Sequence, residues 1–260
     1  MRLASTIEKH QKELVKAESR DNGKPEKLAA HVDIPRAPAN IRFFAGAILH
    51  DSSKTHEMDG VAFNYTLRQP IGVAACISPW NLPLYLLTWK VAPAIAAGNT
   101  VVAKPSEVTP MTAYLFSKIC IEAGLPKGVL NIVHGIGAKI GDPLTTHPDT
   151  PIVSFTGGTV TGKHIATVTA PMFKKLSLEL GGKNPNIIFS DADFDKAVSM
   201  AARAAFTNQG QICLCGSRLF VQEEIYDKFR DALVDKTSKL KVGKQRNVIL
   251  LHKHFIGKAM

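Results

Sequence analysis

The sequence predicts an α/β fold built on a doubly wound parallel sheet. Three observations predict it. Short, almost wholly apolar runs at 71–77, 100–103, 129–133 and 151–155 read as strands covered on both faces. Helical stretches alternate with them at 84–97, 109–123 and 162–169. Turn residues punctuate the joins, among them Gly98, Gly124 and the pair Gly157-Gly158.

The elements follow in order. Residues 3–18 form an amphipathic helix with Leu3, Ile7 and Leu14 among charges. Asp21-Asn22-Gly23-Lys24-Pro25 stops it with turn chemistry. A second helix occupies 26–50 and resumes after Pro38 with Ile41, Phe43, Phe44 and Ile48. Residues 54–69 centre on Asp59-Gly60 and then alternate through Val61, Phe63, Tyr65 and Leu67, which signals a hairpin. The βα units come next, with a loop at Gly135 and Gly137 leading into a short helix. Beyond 181 come a strand at 186–189, a helix at 193–206, a polar loop at 208–216, a strand at 217–221 and a helix at 225–240. There are no internal repeats and no low-complexity segment. Ligands on such sheets bind beyond the carboxyl ends of the strands, so chemistry is expected in the loops there.

Composition narrows the function classes. The 260 residues are 45% hydrophobic and 21% charged, an ordinary globular balance that excludes a disordered or disulfide-dense chain. No apolar run reaches the roughly 20 residues that cross a bilayer. The formal charge of +10 is mostly a tail effect: seven basic and no acidic residues follow Asp235, leaving 25 basic against 22 acidic before them. No aromatic-basic interleaving accompanies it, so neither nucleic acid nor a membrane is expected as partner. The four cysteines form no CxxC pair, and Cys213-Leu214-Cys215 has no His at ligand spacing, so no metal site is expected. Sparse thiols and the lack of a signal-peptide core after Met1 fit a cytoplasmic protein.

Several loops carry candidate chemistry, each with a plainer reading beside it. No G-x-G-x-x-G opens the first βα unit. Phe155-Thr156-Gly157-Gly158 lies between strand and helix and either cradles a pyrophosphate or is a tight turn. Lys104-Pro105-Ser106-Glu107 follows another strand; Glu107 either accepts from ribose hydroxyls or begins a helix. Glu179, at an apolar strand end before Gly181-Gly182, is a general base raised in pKa by burial or a structural ion pair. Cys213 closes the polar loop Asn208-Gln209-Gly210-Gln211-Ile212, where free N–H groups favour thiolate; Cys215, Cys76 and Cys120 read as packing. Asn81, stiffened between Pro79 and Pro83, is an amide donor for an oxyanion or a helix cap.

Taken together, Pro79-Trp80-Asn81-Leu82-Pro83, Lys104-Pro105-Ser106-Glu107, Phe155-Thr156-Gly157, Leu178-Glu179-Leu180-Gly181-Gly182-Lys183 and Gly210-Gln211-Ile212-Cys213 occur in the order seen in the NAD(P)-dependent aldehyde dehydrogenases. The turn at 21–25 matches too, and the resemblance covers about residues 1–242. Residues 78–90 and 212–215 resemble a semialdehyde-oxidising branch. The resemblance implies oxidation of an aldehyde to its acid with NAD. Cys213 attacks the carbonyl carbon, and Asn81 with the Cys213 N–H holds the oxyanion. Hydride leaves for nicotinamide, and Glu179 activates the water that cleaves the thioester. Lys104 and Glu107 hold the adenosine ribose, and Glu107 favours NAD over NADP. Phe155, Thr156, Gly157 and Gly158 run along the cofactor, with Gly135 and Gly137 in a neighbouring loop. Ser78, Pro79, Trp80, Ser106 and Leu180 complete the implied cofactor site.

The resemblance also implies a cofactor domain over 1–181 carrying an oligomerisation hairpin at about 54–69, and a partial catalytic domain over 182–243. Residues 244–260 do not resemble the family, and family chains are longer at both ends. Where the family often has Ser, this chain has Gly158. A homo-oligomer is the family expectation, and a small aldehyde the substrate. Two rival expectations stand beside it: an inactive fragment that binds NAD or pairs with a longer subunit, and a cysteine esterase using Cys213 and Glu179 without cofactor.

Overall fold

A computed structural model describes residues 1–241 and Gly243. The tail from 244, which the sequence sets apart, lies outside the described residues. Helices α1 (Arg2–Lys9) and α2 (Gln11–Asn22) replace the single predicted first helix. The break falls at His10, whose ring turns to Glu122 at 2.7 Å. Next come α3 (Glu26–Leu28), a π-turn (Ala29–Asp33) and α4 (Ile34–Ala47). The sequence expected the helix to resume after Pro38; it runs straight through. Pro35 sits in the first turn, where no N–H is needed, and Pro38 forgoes only one ladder bond.

Strands β1 (Thr55–Met58) and β2 (Ala62–Tyr65) pair antiparallel, Thr55 opposite Tyr65. Asp59 and Gly60 both have positive φ (35° and 72°), the backbone that suits a tight hairpin and favours glycine. Val61, Phe63 and Tyr65 stand exposed on it.

The main sheet holds β3 (Val73–Ile77), β4 (Thr100–Lys104), β5 (Leu130–Ile132), β6 (Ile152–Gly157) and β7 (Lys175–Leu180). Their order is β5-β4-β3-β6-β7, and all neighbours are parallel. The chain builds outward from β3 on one side and then crosses to the other, so the order reverses between β3 and β6. β3 starts two residues later than predicted, because the N–H groups of Ile71 and Gly72 donate to Asn99 Oδ1 (2.8 and 3.1 Å) instead of a ladder.

Successive β3 residues face opposite layers. Ala74 and Cys76 join a large core with Ile7, Leu14, Ile34 and the buried faces of α5 (Pro83–Ala96) and α6 (Met111–Glu122). Ala75 and Ile77 join a smaller one with Val153, Phe155 and Ile165 of α8 (Thr159–Thr169). Phe116 of α6 is fully buried in the large core. Phe116→Ala is expected to destabilise the chain by about 3–5 kcal/mol. An unchanged urea midpoint would contradict this.

A second body follows. β8 (Pro185–Ile188) pairs parallel with β9 (Arg218–Val221), and α9 (Phe194–Phe206) and α10 (Tyr226–Ser238) pack with them. Its own core centres on Ile188, Val198, Ala201 and Phe229. Asp193 caps α9, accepting the Lys196 N–H at 3.2 Å. Among the described residues, no helix is long and apolar enough to cross a membrane, and no cluster of three His, Cys, Asp or Glu side chains is placed to hold a metal.

Candidate active site

A cleft of about 810 Å³ opens at the carboxyl ends of β3, β4 and β6, where the strand order reverses. Of the residues singled out in the sequence, Ser78, Pro79, Trp80, Lys104, Ser106, Glu107, Gly137, Phe155, Thr156, Gly157 and Gly158 line it. Gly135 and Leu180 do not. A Cβ on Gly162 would lie 2.4 Å from Leu180 Cδ2, so Leu180 packs against the α8 backbone rather than facing the cleft. The sequence reading missed the outer wall. Asp142 and Thr145 of α7 (Gly137–Thr145) and Val160, Thr161 and His164 of α8 supply it, His164 Nε2 meeting Asp142 Oδ1 at 2.8 Å. The signal was available, since both helices start directly after glycine loops.

Lys104 is buried at the end of β4 and donates to the Pro105 carbonyl (3.0 Å) and Glu107 Oε2 (2.9 Å). Glu107 Oε1 accepts the Gly137 N–H at the start of α7 (3.4 Å). The Lys104 bond holds the Glu107 carboxyl below the usual carboxylate range. Glu107 therefore does not serve the helix it precedes, because α6 starts only at Met111, whose N–H goes to Asp21 Oδ2 (2.7 Å). The buried hydroxyl of Ser78 has no partner among the described residues. The N-cap of α8 is Gly158, with no side chain on its first N–H groups.

A second network adjoins the cleft at Trp80-Asn81. Asn81 Oδ1 accepts the Leu82 N–H (3.0 Å), and its Nδ2 donates to the Gln211 carbonyl (2.8 Å). The N-cap of α5 is Leu82, so Asn81 does not cap that helix. One N–H of its amide stays uncommitted. Across the gap, Asn208, Gln209 and Gly210 stand in succession at positive φ (52°, 61° and 71°). This tight turn delivers Ile212-Cys213-Leu214-Cys215, closed by the Cys215 N–H on the Ile212 carbonyl (3.0 Å). Cys213 is exposed and Cys215 buried. Asn184 Nδ2 clasps both carbonyls, at 2.6 Å from Cys213 O and 3.1 Å from Cys215 O. Sequence reading did not single out Asn184, because its target lies 29 residues on. Burial pushes the Cys76 and Cys120 thiols up to about 12, which leaves them unreactive.

Glu179 departs from expectation. It is exposed on β7, the edge of the sheet, so the argument that burial makes it a base does not hold here. Its carboxylate bonds to none of the described residues. Its charge acts on Lys90, buried on α5 and donating to Ser154 Oγ (3.1 Å). Burial lowers the Lys90 ammonium to about 8, against the pull of Cys76 and Glu179.

The parallel α/β sheet with a cleft at its strand-order reversal defines a class of fold, and known proteins of that class match it. The aldehyde dehydrogenase family model matches residues 1–250, and the chain belongs to that family. It is 54% identical over 243 residues to 2-aminomuconic semialdehyde dehydrogenase of Danio rerio, covering 93% of this chain and 50% of that protein. The Homo sapiens protein of the same name is 53% identical over 242 residues, with the same coverage. Among solved structures, the NAD+ complex of aldehyde dehydrogenase from Bacillus cereus superposes with a TM-score of 0.93 at 41% identity, over 97% of this chain and 52% of that one. Betaine aldehyde dehydrogenase from Staphylococcus aureus in complex with NAD+ gives 0.92 at 39%, over 96% and 49%. The chain spans about half the length of the curated relatives it matches. The family match reaches eight residues past the point where the sequence resemblance ended.

Proposed function

We propose that this chain carries the cofactor site and nucleophile of an NAD-dependent aldehyde dehydrogenase that acts on a semialdehyde of the 2-aminomuconic type. The observation that carries the reading is the Asn81 amide held on the Gln211 carbonyl, two residues before the exposed Cys213. Support for the substrate class comes from relatives named 2-aminomuconic semialdehyde dehydrogenase.

The cleft fits a dinucleotide. Lys104 and the charged Glu107 suit ribose hydroxyls, the open N-terminus of α8 suits a pyrophosphate, and the unpartnered Ser78 hydroxyl offers a further contact. When bound, the dinucleotide supplies the hydride acceptor that turns the adduct into a thioester. The chain's own residues do the rest. The Cys213 sulfur adds to the carbonyl carbon, forming the C–S bond. The free N–H of Asn81 and the Cys213 N–H take up the charge that appears on oxygen, and again when water adds to the thioester. Glu179 receives the proton of that water, and the acid leaves as the C–S bond breaks.

Purified chain, given NAD and a panel of aldehydes, is expected to form NADH, fastest with the semialdehyde; no NADH with any aldehyde would refute the reading. The exposure of Cys213 and Glu179 favours a second reading, cofactor binding without turnover, which NAD binding by fluorescence titration together with no NADH in that assay would establish. A Glu107 carboxylate held ionised repels a 2′-phosphate, so NAD is expected to bind at least about tenfold more tightly than NADP. Glu107→Gln should bring the two within about threefold. Equal affinities for the unmodified chain, by fluorescence titration, would remove Glu107 from this role. The exposed Val61, Phe63 and Tyr65 of the hairpin support a homo-oligomer, which sedimentation would detect.

A further inference from the structure

Behind the Asn81 loop, away from the cleft, lies a group of charges the proposed chemistry does not use. Glu18 of α2, Lys24 and Asp33 of the π-turn are all completely buried. Taking an ammonium out of water is costly unless its donors are met. Lys24 Nζ has three N–H groups. They meet Asp33 Oδ2, the backbone carbonyl of Asn81 at 3.0 Å, and the field of Glu18 Oε1 at 3.7 Å. The fully desolvated charge is thus completed by the carbonyl of the very residue whose side chain is the oxyanion donor.

That carbonyl carries more donors than its lone pairs. A carbonyl offers two lone pairs. Asn81 O takes three donors: Lys24 Nζ at 3.0 Å, Asn208 Nδ2 at 3.0 Å and Asn22 Nδ2 at 3.3 Å. Asn22 Nδ2 also reaches the Trp80 carbonyl at 2.7 Å. Asn208 belongs to the turn that carries Cys213 and also reaches the Gln211 carbonyl, at 3.3 Å. One backbone oxygen therefore joins the N-terminal helices, the amide donor and the nucleophile turn.

We propose that Lys24 is a positioning residue: its buried ammonium, paired with Asp33 and Glu18, fixes the Asn81 backbone so that the side-chain amide and the Cys213 turn keep their mutual register. This rests on the reading of Asn81 as the oxyanion donor. Lys24 touches neither substrate nor cofactor.

The test uses the full chain. Lys24→Met removes the charge, and Asn22→Ala, which leaves the buried ions intact, loosens the same carbonyl more gently. Amide hydrogen exchange is followed by mass spectrometry on peptides over 207–216 and 73–77. The Gln211 and Cys215 N–H groups are the reporters in the first peptide, donating to Asn208 O and Ile212 O. Exchange over 207–216 is expected to quicken about tenfold in Lys24→Met and about threefold in Asn22→Ala, with 73–77 unchanged. If Lys24→Met does not fold, Asn22→Ala decides alone. Unchanged exchange over 207–216, or an equal rise over 73–77 that marks plain global loosening, would overturn the proposal. Where the chain turns over aldehyde, Lys24→Met should lower kcat about tenfold or more and leave the aldehyde KM within about twofold. A raised KM at unchanged kcat would overturn it. An unmodified chain without turnover refutes the dehydrogenase reading, and the exchange measurement then still decides on Lys24.

Discussion

Cys213→Ala is expected to lower NADH formation by on the order of 10⁴-fold or more, since a nucleophile has no substitute in a covalent route. Cys215→Ala, two residues on, should keep most of the rate. The contrast is built into the turn. Cys213 is exposed at its crest, while Cys215 is buried and gives its N–H to Ile212. Cys76 and Cys120 cannot stand in, because burial keeps both thiols protonated. Alkylation by iodoacetamide should accordingly modify one thiol per folded chain, at Cys213. The reverse pattern, with Cys215→Ala inactive and Cys213→Ala active, would overturn the assignment.

Asn81→Ala is expected to reduce kcat by about 10²–10³-fold with little change in KM, the usual consequence of losing one preorganised donor. The amide is well suited to this. Its oxygen is committed to the Leu82 N–H and one hydrogen to the Gln211 carbonyl, so the remaining hydrogen is fixed in direction before any substrate arrives. Steady-state kinetics on the variant measures the effect. A variant that keeps its kcat would show that Asn81 serves only to tie two loops together.

Much of this architecture was legible in the sequence, and the reasons are local. The β3 run is apolar on both faces because both faces are covered. Gly98 and Gly124 follow the last turns of α5 and α6, and Asp59-Gly60 fixes the hairpin. The cleft was legible through loops that follow strands. What stayed hidden depends on distance. That Glu179 is exposed follows from the place of β7 at the sheet edge, and strand order is not written in one strand's residues. Asn81 could be a cap or a donor until its partner, 130 residues away, was known. Leu180 belongs by motif to the cofactor site, yet the missing side chain at Gly162 draws it into packing. Lys24 reads in the sequence as part of the turn at 21–25, and nothing there says that it is desolvated with Glu18 and Asp33.

The two-sidedness of β3 has a consequence for variation. Ala75 packs in the core with Val153 and with Ile165 of α8, whereas Cys76, one step along, packs in the core that holds the N-terminal helices. A change of volume at one is felt by a different set of neighbours from a change at the other. Adjacent codons in this stretch thus answer to separate constraints, and what is tolerated at the first says little about the second.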